Sequence, residues 1–544
     1  MNPERKRSLP ERSGLTLSPA GLILSVSLFL TLFANTGFFS SVAATYPPGA
    51  GNLAFLGSLV VFVAASFVLT FAILCHGFLT RPVLIIFLLS GAVIAYFMNE
   101  YGVVVDEHML QNVIETDVRE ARDLLTPKLL LYLLFLGLLP SLAVYKTKIR
   151  PLSLRAGLLS RLRIGLVSLA ALVIVFAAFS SQYISLFRVH KELRYRINPA
   201  HALFSAARLA KHSLQAVSTH FIVGADAKIP EADTHRELVI FVVGETARAD
   251  HFSLNGYHRE TNPLLKREKV VNFPDFWSCG TSTADSVPCM FSHLTRSSFD
   301  RQKALAADNV LDILKRAGVS ILWRDNNSSS KGVADRVRYE GFQSPDINPV
   351  CDLECRDEGM LAGLQEFIDA HAQGDILIVL HQMGNHGPAY YKRYPPAFEK
   401  FTPVCRTSEL SKCSTAEIVN AYDNAILYTD YFLSRAIALL KQNDSRFETA
   451  LFYVSDHGES LGENGIFLHG LPYFLAPDAQ KHVPALMWFG RNFDHESTRK
   501  LHETRLRRLS HDNIFATLIG LFEVRSDAYD PEMDILDHDY PAHW

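Results

Sequence analysis

The sequence predicts two joined architectures: a five-helix α-helical membrane domain, then an exported α/β domain with a mostly parallel sheet. Three observations carry this. From Ser13 to Thr80 there is not one Asp, Glu, Lys or Arg, and the mean hydropathy of the 544-residue chain is +0.10, above the usual range of a soluble protein. All but one of the 7 cysteines fall between residues 279 and 413, far from the apolar front. Beyond residue 235, short runs rich in Val, Ile and Leu alternate with helical stretches. Lys and Arg total 53 against 56 Asp and Glu, a net charge of −3, which argues against a nucleic-acid-binding protein.

Five stretches are long and apolar enough for a bilayer core that needs about 20 helical residues: Pro19 to Ser41, Asn52 to Cys75, Pro82 to Asn99, Leu129 to Tyr145 and Ile164 to Phe187. The first follows Arg5, Lys6, Arg7 and Arg12 and resembles a signal peptide, but four more spans behind it make it an uncleaved anchor. Positive charge in short loops marks the cytoplasmic side. The N-terminal tail is basic, and Lys146, Lys148, Arg150, Arg155, Arg161 and Arg163 lie between spans four and five. The connection between spans three and four is acidic, with Glu100, Asp106, Glu107, Glu115, Asp117, Glu120 and Asp123. Five spans that start inside finish outside. The basic run Arg188, Lys191, Arg194, Arg196 opposes this, although long exported domains translocate largely regardless of charge.

The cysteines test the orientation independently. They come as close pairs, Cys279 with Cys289, Cys351 with Cys355, Cys405 with Cys413, and neighbour pairing is the simplest of 15 connectivities. A structural zinc site is the alternative, but the spacings fit CxxC patterns poorly. Disulfides need an oxidising compartment, so both arguments place the C-terminal part in a bacterial periplasm.

Between the last span and the globular part, Leu203, Ala207, Ala210, Leu214 and Val217 repeat at helical spacing opposite Arg208, Lys211 and His212. This reads as a basic amphipathic helix lying on the outer leaflet, or equally as a helix packed on the domain. Residues 223–235 read as a linker. The expected domains are 1–187 in the membrane, 188–235 as bridging helix and linker, and 236–544 as the exported domain. Within the last, Leu238 to Val243, Ser320 to Trp323, Ile376 to Leu380, Ala450 to Val454 and Ala485 to Phe489 are expected strands. Asn309 to Ala317, Gly359 to Ala372 and Glu417 to Lys441 are expected helices.

Ligand sites in open α/β sheets form beyond the carboxyl ends of the strands. Four of these strands run into polar groups: Gly244-Glu245-Thr246, Arg324-Asp325-Asn326-Asn327, His381 followed by Asn385-His386-Gly387, and Ser455-Asp456-His457-Gly458-Glu459. Glu245, Asp456 and His457 make a mixed carboxylate and imidazole set suited to Zn²⁺. Thr281, Ser282 and Thr283, between Cys279 and Cys289, are candidate hydroxyl nucleophiles, which metal coordination would activate. A helix beginning near Pro288 would add backbone N–H groups for phosphate oxygens. Each residue also has a plain reading: Asp456-His457-Gly458 as a turn, Glu245 as a helix cap, His386 and His469 as loop or core histidines, Lys331 as a solvated charge. His381 reads as a core histidine.

Val-Val-Gly-Glu-Thr-Ala-Arg (242–248), Cys-Gly-Thr-Ser-Thr-Ala (279–284), Val-Pro-Cys-Met (287–290), Gly-Asn-His-Gly-Pro-Ala-Tyr-Tyr (384–391), Val-Ser-Asp-His-Gly-Glu-Ser (454–460) and Leu-His-Gly-Leu-Pro-Tyr (468–473) together resemble the phosphoethanolamine transferases of Gram-negative bacteria. Within these the chain is most similar to the lipid A transferases, which include the mobile colistin-resistance enzymes. The resemblance covers essentially the whole chain and implies an alkaline-phosphatase/sulfatase-like periplasmic domain behind five spans in the inner membrane. It implies that Glu245, Thr283, Asp456 and His457 bind one catalytic zinc, with a second zinc an open question, and that Thr283 is the nucleophile carrying phosphoethanolamine. His386, His469 and Lys331 would assist catalysis. Asn112, Thr116, Glu120, Asn327, Ser328, Lys331, His386, His469 and Glu459 would line the substrate site. Asn112, Thr116 and Glu120 fall at i, i+4 and i+8, one helix face. Cys351 and Cys355 are closer together than the corresponding family pair.

The implied reaction moves phosphoethanolamine from phosphatidylethanolamine to a phosphate of lipid A within lipopolysaccharide, giving polymyxin resistance. The partners are two lipids and the membrane, with no nucleic acid, and a monomer is expected. Alternatives are the same chemistry on a core heptose, Kdo or periplasmic glucan, a membrane-anchored phosphatase or glycerol-phosphate transferase, and a catalytically dead protein with structural zinc.

Overall fold

The computed structural model describes residues 16–536 other than 50, 117, 189–190, 215–218, 232, 494–500 and 502–504. The basic N-terminal tail, Asp117 and Val217 lie outside the described residues. The chain divides into two compact units. One comprises residues 1–100, 104–106 and 125–206, the other 101–103, 107–124 and 207–544.

Among the described residues of the first unit four helices are long and apolar enough to cross a membrane: Leu53–Leu74, Gly77–Tyr101, Pro127–Lys146 and Leu154–Ala178. Pro19–Ala34 and Thr36–Thr45, bent by 56° at their junction, make a fifth if the pair is one span. The bend falls at a π-helical turn, Leu30–Ala34, where the ladder is broken. Asn35 takes up the freed groups: its amide donates to Leu30 O at 2.9 Å and to Asn198 O at 2.7 Å. Asn198 answers by donating to Ala34 O and Gly91 O.

The last span differs from expectation. It begins at Leu154, after a Ser153 cap that accepts from Ala156 N, and ends at Ala178, before a separate helix Ser180–Arg188. Arg155, Arg161 and Arg163 therefore ride the helix rather than a loop. Arginine is a good helix former, and its charge marks the membrane boundary without ending the helix.

The second unit is built on an eight-stranded sheet, numbered here in chain order: β1 Glu237–Gly244, β2 Val271–Trp277, β3 Ser320–Asp325, β4 Arg338–Gly341, β5 Ile376–His381, β6 Glu448–Ser455, β7 His482–Phe489, β8 Leu509–Ser510. Their order is β8-β2-β7-β6-β1-β5-β3-β4, and only β7 runs antiparallel to its neighbours. The side-chain period of two splits β1 between two cores. Val239, Phe241 and Val243 join one, and Leu238, Ile240 and Val242 the other. A strand buried on both faces needs this continuous apolar run. The 29-residue helix Thr415–Asn443 covers the second face and starts with a capping box between Ser414 and Glu417.

One further expectation is corrected here, and another is met. The helix expected from Gly359 to Ala372 is a 3₁₀ turn, Asp357–Leu361, and a short helix, Leu364–Ala370, separated at Gly363, whose φ of +72° no α-helix accommodates. The amphipathic segment is helical over Ala200–Leu214, and Arg208 pairs with Glu107 at 3.1 Å.

Candidate active site

Parallel strands bring their carboxyl ends to one edge, and the register does the rest. Gly244 at the end of β1 pairs with Ser455 at the end of β6, so the next residues, Glu245 and Asp456, emerge side by side. The bond from Asp456 N to Gly244 O, 2.9 Å, closes the ladder. Thr246 then turns at a φ of +59°, a conformation a β-branched residue rarely adopts. That turn aims Thr246 N at Asp456 Oδ1, 3.1 Å away, and its hydroxyl at Glu245 Oε1.

Glu245, Asp456 and His457 are fully buried, and one ligand atom of each lies within 4.8 Å of the others. His457 Nδ1 donates to Gly458 O at 2.9 Å, which fixes the tautomer and leaves the Nε2 lone pair facing the carboxylates. Nε2 is 3.3 Å from Asp456 Oδ2 and 3.5 Å from Glu245 Oε1. Among the described residues, none donates a hydrogen bond to Asp456 Oδ2. Burial, and then the charge of Glu245, push the Asp456 carboxyl up to about 7. Burial also opposes ionisation of Glu245, but His457, His386 and His469 outweigh it and hold that carboxyl low. Two carboxylates with an orphaned oxygen between them form a pocket short of positive charge, and two oxygens plus an imidazole are donors a divalent zinc accepts. Among the described residues, Cys279, Cys289 and Asp512 also converge, but both sulfurs are in a disulfide.

The hydroxyl that meets this set is Thr283. Its Oγ1 donates to Glu245 Oε2 at 3.1 Å and lies 3.3 Å from His457 Nε2. Thr281 Oγ1 is turned away and donates to Leu471 O, and Ser282 Oγ faces Asp285. The helix starts at Thr283 itself and runs to Met290, with Pro288 inside it, so the expected start near Pro288 is five residues late. The reason is Ser282, whose extended φ of −148° supplies the N-terminal boundary. Thr283 thus occupies the first turn, where backbone N–H groups lack helical acceptors and favour anions. Three disulfides are present, Cys279–Cys289, Cys351–Cys355 and Cys405–Cys413, and the first closes the loop carrying Thr283.

A second set adjoins the first. The His469 ring centroid is 4.3 Å from that of His457 and 5.4 Å from that of His386. His469 Nδ1 is 2.9 Å from Glu459 Oε2, and Tyr390 donates to the other Glu459 oxygen at 2.8 Å. Burial pushes Glu459 up to about 8, pushes His469 down to about 3 and lowers His386 as well. Lys331, whose side chain is 2% exposed, supplies the ammonium: Nζ donates to Ser328 Oγ at 2.7 Å, Ser328 O at 3.1 Å and Glu115 O at 3.2 Å. Asn327 is bonded to the first set. Its amide donates to Glu245 Oε2 at 2.7 Å and Gln382 O at 2.8 Å, which aims the glutamate.

The segment 107–124 belongs to this same unit. The expected single helix face is not formed, because the helix Glu107–Glu115 ends before Thr116 and a second one spans Val118–Asp123. Thr116 Oγ1 turns back onto Asn112 O at 2.7 Å, the local bond with which threonine competes against helix. Glu120 stands on the second helix, 3.8 Å from His386 Nε2. Glu115 pairs with Arg301 at 2.6 Å, and His108 with Asp285 at 2.9 Å.

Several residues of this site carried no sequence signal. His511 Nδ1 accepts from Cys279 N, and its Nε2 donates to Ser455 O, both at 3.0 Å, tying the threonine loop to β6. Asp357 accepts from Met383 N and Gly384 N and holds the loop before His386. Gly384, noted in the sequence only as the first residue of a motif, sits at φ +49° so close that a Cβ would stand 2.8 Å from Glu245 O. Each is set by three-dimensional contact between segments far apart in sequence.

Residues 237–524 match the Sulfatase family model, and residues 62–214 match the model described as Phosphoethanolamine transferase EptA/EptB. The chain is 45% identical over 527 residues to the phosphatidylethanolamine transferase Mcr-1 of Escherichia coli, covering 94% of this chain and 96% of that protein. It is 42% identical to the phosphoethanolamine transferase EptA of Escherichia coli K12, with the same coverage of 94% and 96%. Among solved structures, the integral membrane lipooligosaccharide phosphoethanolamine transferase A of Neisseria meningitidis superposes with a TM-score of 0.93 at 36% identity, covering 96% of this chain and 99% of that one.

Proposed function

This chain belongs to the phosphoethanolamine transferase family, multi-pass inner-membrane enzymes with a periplasmic sulfatase-like domain, and on that premise we propose that it transfers phosphoethanolamine from phosphatidylethanolamine to a lipid A phosphate through Thr283. The observation that carries the reading is the Thr283 hydroxyl, 3.1 Å from Glu245 and 3.3 Å from His457 beside a donor set short of positive charge.

Glu245, Asp456, His457 and Thr283 would hold a zinc ion. When bound, zinc lowers the pKa of a coordinated hydroxyl and offsets charge on the transferring phosphoryl oxygens. In the first step Thr283 Oγ1 attacks the donor phosphorus. A bond forms between them, the bond to the diacylglycerol oxygen breaks, the hydroxyl proton leaves on the Glu245 side, and the leaving oxygen takes a proton from the His386, His469 and Lys331 group. Lys331, His386 and His469 donate to the phosphoryl oxygens, and the first-turn N–H groups beside Thr283 add to this. Glu120 faces the region where a cationic ethanolamine would be held, with Asn112 and Thr116 on the same outer segment. In the second step an acceptor phosphate oxygen displaces Thr283 from phosphorus. Glu459 orients His469, and Asn327 with Ser328 orients Glu245 and Lys331. Both lipids are confined to a surface, which membrane anchoring exploits. The solved relative's name specifies lipooligosaccharide, a molecule that carries both lipid A phosphates and core sugars.

Mass spectrometry of lipid A from a host lacking its own transferases tests this. A mass gain of one phosphoethanolamine, absent with Thr283→Ala, is expected. Unmodified lipid A together with modified core sugars would overturn the acceptor, and persistent transfer by Thr283→Ala would overturn the nucleophile.

A further inference from the structure

Arg393 is a guanidinium that the chemistry above does not use, although its side chain is only 2% exposed. It is committed in three directions. Nε donates to the carbonyl of His386 at 2.6 Å, one terminal nitrogen pairs with Glu354 in the Cys351–Cys355 loop, and the other reaches Asp123 Oδ2 at 3.3 Å. Lys392 pairs with the second Asp123 oxygen. Asp123 ends the helix Val118–Asp123, three residues after Glu120 and therefore on the same face. Glu120 in turn faces His386 at 3.8 Å. One buried fork thus fastens both partners of that contact, the imidazole through its backbone and the carboxylate through its helix. A planar guanidinium is suited to this, because its donors hold fixed angles that an ammonium cannot reproduce.

We propose that Arg393 is a positioning residue for the donor headgroup, acting through Asp123 to hold the helix that carries Glu120 at its working distance from His386. The proposal rests on the reading that the ethanolamine of the donor lies between these groups. Of the three contacts, the one to His386 touches a residue used in the chemical step, whereas the one to Asp123 reaches only the helix that carries Glu120, so breaking the Asp123 contact alone acts on donor binding and not on the chemical step. Conversely, a purely structural residue would change stability without separating KM from kcat.

The experiment uses the full chain in mixed micelles with zinc, a fluorescent-tailed phosphatidylethanolamine as donor, and release of labelled diacylglycerol as readout. Asp123→Asn, which leaves Arg393 its other two partners, is expected to raise the donor KM about tenfold with kcat within about threefold of wild type. Zinc content should be unchanged, and any fall in thermal midpoint from the broken buried pair is kept apart by assaying well below both midpoints. Arg393→Lys also loosens the His386 and Glu354 contacts and should raise KM in the same sense, and adding Asp123→Asn to it should raise KM little further, because the contact between the two side chains is already lost. A donor KM within about twofold of wild type for Asp123→Asn, or a fall confined to kcat, overturns the proposal. Failure of the parent reading looks different: wild-type protein would release no diacylglycerol, and the positioning role would fall with it.

Discussion

At the scale of single residues, the site is a division of labour between groups that meet the metal and groups that aim them. Asn327 makes the distinction testable. The family resemblance puts it in the headgroup site, yet both its amide protons are spent, one on Glu245 Oε2 at 2.7 Å. Removing a group that orients a metal ligand costs about 10–100-fold in metal affinity. Asn327→Ala should therefore weaken zinc binding by that factor in a chelator competition, while the donor KM of the zinc-saturated enzyme moves little. A raised donor KM with unchanged zinc affinity would return Asn327 to the headgroup. Glu245, Asp456 and His457 were legible in the sequence because each directly follows a recognisable strand, and strand ends converge. Arg393, Asp357 and His511 were not legible, because nothing local marks a residue whose partners lie on other segments. The choice among Thr281, Ser282 and Thr283 was equally hidden without the family pattern, since all three hydroxyls sit within one turn and only their directions differ.

At the scale of elements, the sheet order decides what can meet, and its strands were unequally readable. The five expected strands are long apolar runs in the middle of the sheet. β2 was missed because Pro274 and Asp275 interrupt its pattern, β4 because an edge strand reading Arg-Tyr-Glu-Gly is mostly polar, and β8 because two residues carry no periodicity. β8 nevertheless introduces His511, which bridges the Cys279 loop to the end of β6. Burial, and secondarily the charge of His457, push this imidazole down from 6.5 to about 3. A histidine depressed in the folded state is neutral there while the unfolded chain takes up a proton. The stability is therefore complete above about pH 6.5 and is lost as pH falls toward 3. The shift corresponds to several kcal/mol, on the order of 1.4 kcal/mol per unit. Denaturant unfolding of the chelator-treated protein should show stability falling between pH 6.5 and 4. His511→Gln should be less stable at pH 7.5 by about 1–3 kcal/mol, through two lost buried hydrogen bonds, and should have a flatter acid limb. An unchanged acid limb in that variant would assign the pH dependence to other groups.

At the scale of the whole molecule, sequence order and compact units do not coincide. Residues 107–124 lie between two spans in the sequence, yet they group with the α/β unit and bring Glu115 to Lys331 and Glu120 to His386. Two effects of removing the N-terminal half can then be separated. Both hydrophobic cores of the sheet are made only from residues 227–536, so a fragment from Thr219 onward retains them and the Glu245, Asp456, His457 and Thr283 set. It should fold and bind zinc within about threefold of the full chain, since no zinc ligand or orienting partner is lost. Toward phosphatidylethanolamine in vesicles it must lose activity simply by leaving the surface. A short-chain, monomeric phosphatidylethanolamine removes that confinement term and isolates the contacts made by 107–124. If those contacts bind the headgroup, the fragment should have a donor KM at least about tenfold above that of the full chain on the soluble donor. If its KM matches, the segment serves only to keep enzyme and lipid together, and Glu115 and Glu120 have no part in holding the donor.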